Sequence, residues 1–408
     1  MPTIPAITNR MGITEVGARG LIALGFMRKS ATMMHTKVAL PITTSTRNVP
    51  FRNFGAMPQL TQFVKRRLAN GIPDYSWTPH TEKFANLVEM ERDAFEEDQT
   101  GQTRGSIQQL GVRAAEFPDI LLFSRWAENP VGFDGSPFFS ASHALGGNAP
   151  AVQTNVVQGQ VTEADLTTVN VATNAQLIQE DFTAAVAQMA NFIDNQGVKF
   201  NFTLDGAKLV IVCSQRMRPA MVQAFQSEFI LQTANIFRGS IEGIVGTSLL
   251  DGTNFSPLGI NASYTHDAAT WYLCRVDEAL KPWFNLLFHA PTTAELTDDL
   301  KAAGVTMEAL QTWQAIQIEH TLNKVGDNAD AYTITNDSFL MSVRAKMNIV
   351  PGFWPYIVRC RRPPRKAESA LKTRRRHHAM EARPRGGPLG LRRSHDGTND
   401  LGHAGGRL

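Results

Sequence analysis

Charge is scarce in this sequence. Asp, Glu, Lys and Arg make up 19% of it, against roughly 25% in an ordinary soluble protein. A surface so thinly charged is expected to be covered in part, and repeated contact with neighbouring copies is one way to cover it. Cysteine is scarcer still. The 408 residues hold three, Cys213, Cys274 and Cys360. They are far apart and form no CxxC pair, which argues against a disulfide framework or a zinc site and fits a reducing compartment. Long apolar runs are missing too. No stretch approaches the ~18 residues needed to span a bilayer, and no apolar segment of secretory length follows a basic start. The expectation is a soluble protein made in a cytoplasm, with no membrane partner. The Asn-x-Ser/Thr matches at Asn201, Asn261 and Asn336 then carry no glycosylation. GxxxxGK[ST], HExxH and a GxGxxG after a strand are also absent, which weakens enzyme readings. No cofactor, metal or catalytic residue is expected.

What is present is a large apolar fraction, 43%, in a chain long enough for two or three domains. The net charge of +3 is unevenly spread. From 359 to 408 there are 14 Lys/Arg and 4 Asp/Glu, so this tail carries +10 and the body before it −7. The tail has an Arg triplet, Gly-Gly pairs and prolines with almost no apolar pattern. It cannot bury a core and is expected to be disordered.

Along the chain, residues 13–28 read as a helix, weakened by Gly17 and Gly20. Residues 40–58 read as extended or looped. Residues 58–70 read as a helix with Pro58 in its first turn and Gly71 at its end. Residues 74–92 mix aromatic and β-favouring residues in partial alternation and read as strand-like, an exposed hairpin arm. Residues 103–128 are the longest helical candidate, ~39 Å at 1.5 Å per residue, with Ile107, Leu110 and Ala114 at helical spacing. Pro118 is expected to kink or divide it. Residues 129–160 read as a long irregular loop. A second amphipathic helix is predicted over 174–195, with Leu177, Phe182, Val186, Met189 and Ile193 on or near one face. A hairpin is predicted over 198–213 around Asp205-Gly206, and a helix from Pro219 to about Phe229. Residues 236–290 read as strands and loops. Residues 295–302 and 306–311 read as short helices, and 313–322 and 337–350 as strands. Cys213 and Cys274 read as small buried residues in strands.

Several features suggest chemistry. Ser140, Ser142 and His143 resemble a nucleophile beside a base. Residues adjacent in sequence rarely meet in hydrogen-bonding geometry, so a loop-stabilising histidine is the preferred reading. The acidic run Glu96-Glu97-Asp98 reads as a solvated turn or a helix N-terminal cluster rather than a cation site. Glu89 and Glu91 alternate on the predicted strand and are expected to face a neighbour's basic residues. His377-His378 beside Arg374, Arg375 and Arg376 reads either as a nucleic-acid patch or as part of a disordered tail.

Several stretches, in order, resemble the major head subunit of Mu-like phages. They are Thr44-Ser45-Thr46 through Phe54-Gly55, Pro58 and the helix ending Lys65-Arg66-Arg67-Leu68; Lys83-Phe84 through Glu96-Glu97-Asp98 into Arg113-Ala114-Ala115-Glu116 and Pro118-Asp119; and Phe133-Asp134-Gly135-Ser136-Pro137-Phe138-Phe139-Ser140 with His143 and Gly146-Gly147. Two more follow: Trp271-Tyr272-Leu273 with Ala279-Leu280-Lys281-Pro282, and Pro351-Gly352-Phe353-Trp354. The resemblance covers roughly 40–357 and rests on shared order and spacing. It implies an α+β, HK97-like capsid fold with an N-terminal arm (1–40), an extended loop region (41–98), a peripheral domain with a long spine helix (99–204), an axial domain (205–335) and a return to the peripheral domain (336–358). It implies a major capsid protein that self-assembles through hexamers and pentamers into the icosahedral head shell of a tailed phage or prophage. The partners would be scaffold, portal and packaged double-stranded DNA. Its location would be the virion, after assembly in the host bacterial cytoplasm. Trp77, Phe84, Glu89 and Glu91 become candidate intersubunit contacts, and Arg374, Arg375 and Arg376 candidate non-specific DNA contacts. The 359–408 tail departs from the family, either as a real extension or as an out-of-frame reading of a GC-rich gene. An encapsulin-like nanocompartment shell and a hydrolase using the 134–147 loop are the alternatives.

Overall fold

The computed structural model describes residues 15–30, 32–51, 76–91, 93, 100–147, 149–150, 152–168, 171–201, 203–204, 206–277, 281–288, 306–320, 336 and 338–361. The fold is α+β. Its main helices are Glu15–Ser30, Gln102–Glu128, Val171–Ala190, Arg218–Phe225 and Met307–Gln314. Its strands are β1 (Ala39–Thr44), β2 (Glu82–Glu91), β3 (Val156–Gln158), β4 (Leu209–Ser214), β5 (Phe229–Ile230), β6 (Thr233–Ala234), β7 (Gly243–Thr247), β8 (Gly252–Phe255), β9 (Ser263–His266), β10 (Trp271–Arg275), β11 (Trp283–Phe288), β12 (Ile316–His320), β13 (Ser338–Pro351) and β14 (Ile357–Arg361).

The long helix organises the N-terminal half. Gly101 enters it with φ 75° and Asn129 leaves it with φ 53°, its N–H returning to the Arg125 carbonyl. This left-handed exit suits Asn, whose short polar side chain tolerates the conformation. The helix runs unbroken through Pro118, so the expected division does not occur. A proline inside a helix costs about 3 kcal/mol. Ala114, Ala115, Leu121, Leu122 and Phe123 are buried on either side of it, and burying each large side chain returns about 2 kcal/mol. Packing therefore outweighs the lost hydrogen bond.

The N-terminal helix Glu15–Ser30 lies against this long helix. Ala18, Ile22 and Phe26 join Ile107, Leu110, Phe339 and Met341 in one core cluster. The two backbones touch where both lack a side chain. A Cβ on Gly111 would strike the Ile22 carbonyl, and one on Gly25 the Gln108 carbonyl. Asp119 then fixes the chain beyond the first helix. Its carboxylate accepts from the backbone N–H of Met34 (3.0 Å) and His35 (2.7 Å) and meets His35 Nδ1 at 2.8 Å. This starts the single turn His35–Val38 that delivers the chain into β1.

Two five-stranded sheets follow. In the first, β1 pairs parallel with β11, and β13 pairs antiparallel with β11, β12 and β2. The second has the order β3-β14-β10-β4-β7. All six residues of β4 are buried, as expected of a strand covered on both faces. The hairpin predicted over 198–213 does not form. Val210 pairs with Cys274 on one side and Gly243 on the other, which puts β4 between β10 and β7, while Lys199 bridges back to Ile193. A continuous apolar run gains more from a doubly covered central position than from a two-stranded ribbon. Cys213, Cys274 and Cys360 are all buried, on β4, β10 and β14. Desolvation pushes the Cys213 thiol up to about 12, which leaves it unreactive.

The predicted helix over 174–195 is observed as Val171–Ala190, with Phe182 and Met189 buried. It also buries Asp181, which accepts from the Gln160 backbone N–H at 2.9 Å. Desolvation pushes this carboxyl up to about 6, against the opposing pull of the Gln160 hydrogen bonds. Residues 58–70 and 295–302, read above as helices, lie outside the described residues.

Two predictions follow from this packing. Gly111→Ala and Gly25→Ala should each lower the urea-unfolding free energy by about 3 kcal/mol, because backbone rather than a flexible side chain must yield. Asp181 has a folded pKa above its unfolded value, so its contribution is complete below about pH 4 and is lost as pH rises through about 6. Asp181→Asn should therefore gain on the parent chain by about 2 kcal/mol between pH ~4.5 and ~7.5. A difference that stays flat with pH would show that Asp181 is not held protonated.

Candidate intersubunit surface and the 134–147 loop

β2 pairs with β13 along its full length, Glu82↔Met347 to Glu91↔Ser338. Successive side chains of a strand point to opposite faces, so β2 splits into two sets. Phe84, Val88 and Met90 turn toward the core and are half-buried. Lys83, Ala85, Leu87, Glu89 and Glu91 turn outward and are exposed. Of the four contact candidates, Glu89 and Glu91 thus share the open face. Phe84 lies on the other, its ring 4.8 Å from Phe117 of the long helix. Trp77 precedes the strand, stacks on Phe51 at 5.7 Å and exchanges two backbone hydrogen bonds with it. The described parts of 1–40 and 74–92 pack on their own chain, through the Glu15–Ser30 helix, β1 and β2. Arg374, Arg375, Arg376 and the run Glu96-Glu97-Asp98 lie outside the described residues.

Two features of this surface were not anticipated from sequence. The first is basic. Lys346 stands directly opposite Lys83 in the β13–β2 register. Arg344 lies on the same face, 3.5 Å from Glu319. Lys346 Nζ sits 3.0 Å from the centre of the Phe288 ring, and its ammonium is pushed down by desolvation and by the charges of Lys83, Arg47 and Arg344. The alternation Arg344-x-Lys346 was visible in the sequence, but its pairing with Lys83 comes only from the register. The second is a cleft of about 1020 Å³ between β2, the long helix and the β8–β9 hairpin. Phe84, Phe117, Leu110, Val343 and Leu258 line it beside Ile260, which is 98% exposed.

The 134–147 loop is held from inside. His143 Nδ1 meets Asp134 Oδ2 at 2.6 Å with both side chains fully buried. The imidazole lies flat on Trp354, centroids 4.1 Å apart and planes within 8°. The backbones of His143 and Gln153 bond in both directions. Ser140 points its chemistry elsewhere: its N–H donates to Asn155 Oδ1, and its Oγ accepts from the Ser142 N–H. The loop brings the histidine to an acid, and the serine to a turn. Phe133, Phe138 and Phe139 are buried. Phe138 lies 4.5 Å from Trp283, and Phe139 5.2 Å from Tyr272. The motif therefore acts as core. Among the described residues no group of three His, Cys, Asp or Glu could hold a metal, and no helix is long and apolar enough to cross a membrane.

These features, a long helix with an aromatic loop at its end and a strand bearing an open charged face, lie within the stretch that matches a known family. Residues 24–168 match the family model of the Mu-like prophage major head subunit gpT, so the resemblance to that class of shell subunit is found. Two curated relatives sharpen it. The chain is 29% identical over 120 residues to the Mu-like prophage FluMu major head subunit of Haemophilus influenzae, covering 29% of this chain and 39% of that protein. It is 26% identical over 139 residues to the major capsid protein of Escherichia phage Mu, covering 34% of this chain and 46% of that protein. The match thus spans less than half the length of either relative. Among solved structures, the procapsid of bacteriophage JBD30 superposes with a TM-score of 0.42 at 13% identity, covering 93% of this chain and 86% of that one.

If His143 holds the loop, His143→Ala should cost about 3 kcal/mol of stability, because it strands the buried Asp134 carboxylate. Ser140→Ala should cost less than about 1 kcal/mol. Equal losses at the two positions, read by urea unfolding, would contradict this assignment.

Proposed function

We propose that this chain is the major capsid protein of a Mu-like tailed phage or prophage, with an HK97-like fold, and that it self-assembles into the icosahedral head shell. The observation that carries the reading is the family match over 24–168. That stretch contains the long helix Gln102–Glu128 and the aromatic loop after it, both of which contribute buried side chains to the core. The architecture supports the same reading. The described parts of the N-terminal arm (1–40) and extended loop region (41–98), namely the Glu15–Ser30 helix, β1 and β2, precede a helix of 27 residues. Three of the five strands of the second sheet, β4, β7 and β10, lie in 205–335, and β11 and then β13 return the chain to the first sheet. In this reading 99–204 and 336–358 form the peripheral domain.

The partners are further copies of the chain as hexamers and pentamers, scaffold and portal proteins, and packaged double-stranded DNA. The +10 tail, with Arg374, Arg375 and Arg376, contacts that DNA without sequence preference through counterion release. The location is the virion, after assembly in the bacterial host. Shells need many identical weak contacts rather than one reactive group, and heterologous contacts that close generate rings.

Electron microscopy of the purified full chain tests the proposal. Closed shells built of hexamers and pentamers are expected. Monomers or small open oligomers under all assembly conditions would overturn it. Shells that enclose cargo enzymes in place of nucleic acid would select the encapsulin-like alternative.

A further inference from the structure

The open face of the first sheet is electrically polarised. One end of β2 carries Lys83, and beside it stand Arg344, Lys346 and Arg47. The other end carries Glu89 and Glu91, both exposed. Between them lie Ala85 and Leu87, the latter 65% exposed. Like charges directly opposite each other on a sheet are destabilising, yet Lys83 and Lys346 occupy such a pair. Among the described residues the one recorded acid partner of this cluster is Glu319, which holds Arg344. That pair is well exposed, with Glu319 at 58%, so it neutralises little.

The acidic end cannot relieve the basic end within one copy. Lys83 and Glu91 are eight residues apart on an extended strand, roughly 27 Å at 3.4 Å per residue. Charges in physiological salt are screened over about 8 Å. The two ends are therefore electrically independent in a single chain, and each is complementary to the opposite end of another copy. We infer that the cluster Arg47, Lys83, Arg344 and Lys346 is the receptor for Glu89 and Glu91 of a second copy of this chain. The contact aligns neighbouring subunits along their sheet faces, with Leu87 in the apolar middle. Nucleic acid is the competing occupant of so basic a patch. The complementary acid end on the same face, with an exposed leucine between, favours the protein.

This inference rests on the shell reading, and complementary charge reversal separates the two. One variant carries Lys83→Glu with Lys346→Glu, the other Glu89→Lys with Glu91→Lys. All four sites are on the outer face, and circular dichroism melting confirms that each variant folds. Each variant alone should give at least about tenfold fewer assembled particles than the parent chain, since facing like charges cost several kcal/mol. A single chain that carries all four reversals should restore assembly, because its two ends are again complementary in rings of five as well as of six. A milder pair, Lys83→Gln with Lys346→Gln, should assemble with weaker salt dependence than the parent.

The pairing is overturned, and the shell reading kept, if the parent forms shells and either reversed variant assembles equally well alone. It is overturned likewise if the folded chain with all four reversals fails to recover. Loss of retained DNA from otherwise normal particles in the Lys variant would reassign the cluster to nucleic acid. A parent chain that never assembles overturns both readings.

Discussion

The structure depends on the pairing of β13. This one strand bonds to β11 through its last residues and to β2 and β12 through its first ten. Its alternation sorts the surrounding chemistry. Phe339, Met341, Val343, Ala345 and Met347 turn inward and are buried; Leu340, Ser342, Arg344 and Lys346 turn outward. A slip of one residue would exchange the two sets. The register is thus held by the apolar side, and the arrangement of charge on the open side is its consequence. The basic cluster exists because a buried pattern elsewhere on the same strand demands it.

The second constraint is the close approach of two helices. Glu15–Ser30 crosses the long helix at Gly25 and Gly111, where backbone meets backbone. Interiors pack as densely as organic crystals, so such a contact leaves no slack. Asp119 then sets the chain's exit toward β1. In the last turn of the long helix, Trp126 lies 4.3 Å from Tyr272 and 6.1 Å from Trp283, joining the helix end to both sheets. The 133–139 loop fills the remaining space with its phenylalanines, which ties the fold of the site to the fold of the core.

Local pattern made much of this legible from sequence. The long helix, the helix that became Val171–Ala190, the strand at 82–91 and the buried strand cysteines all follow from periodicity and residue type. What local pattern could not supply was partner choice. The Asp205-Gly206 pair looked like a hairpin turn, yet the apolar run after it found deeper burial between β10 and β7. Pro118 looked like a breaker, yet flanking burial carried the helix through it. For the site, Glu89 and Glu91 were readable by alternation alone. Lys83 and Lys346 were not, since only long-range register makes them neighbours. Phe84 and Trp77 read as sticky surface because sequence shows size and apolarity but not which face is already occupied.

The chain joins a densely packed interior to a polarised exterior, a combination that fits the proposed self-assembly. The low overall charge, the apolar cleft beside β2 and the separated acid and base ends fit the proposed assembly. The most direct measurement is a cryo-electron reconstruction of particles assembled from the full chain. The account predicts Lys83 and Lys346 of each subunit within about 4 Å, ion-pair distance, of Glu89 or Glu91 of a neighbour. Particles in which this sheet face borders only solvent in every subunit would contradict it.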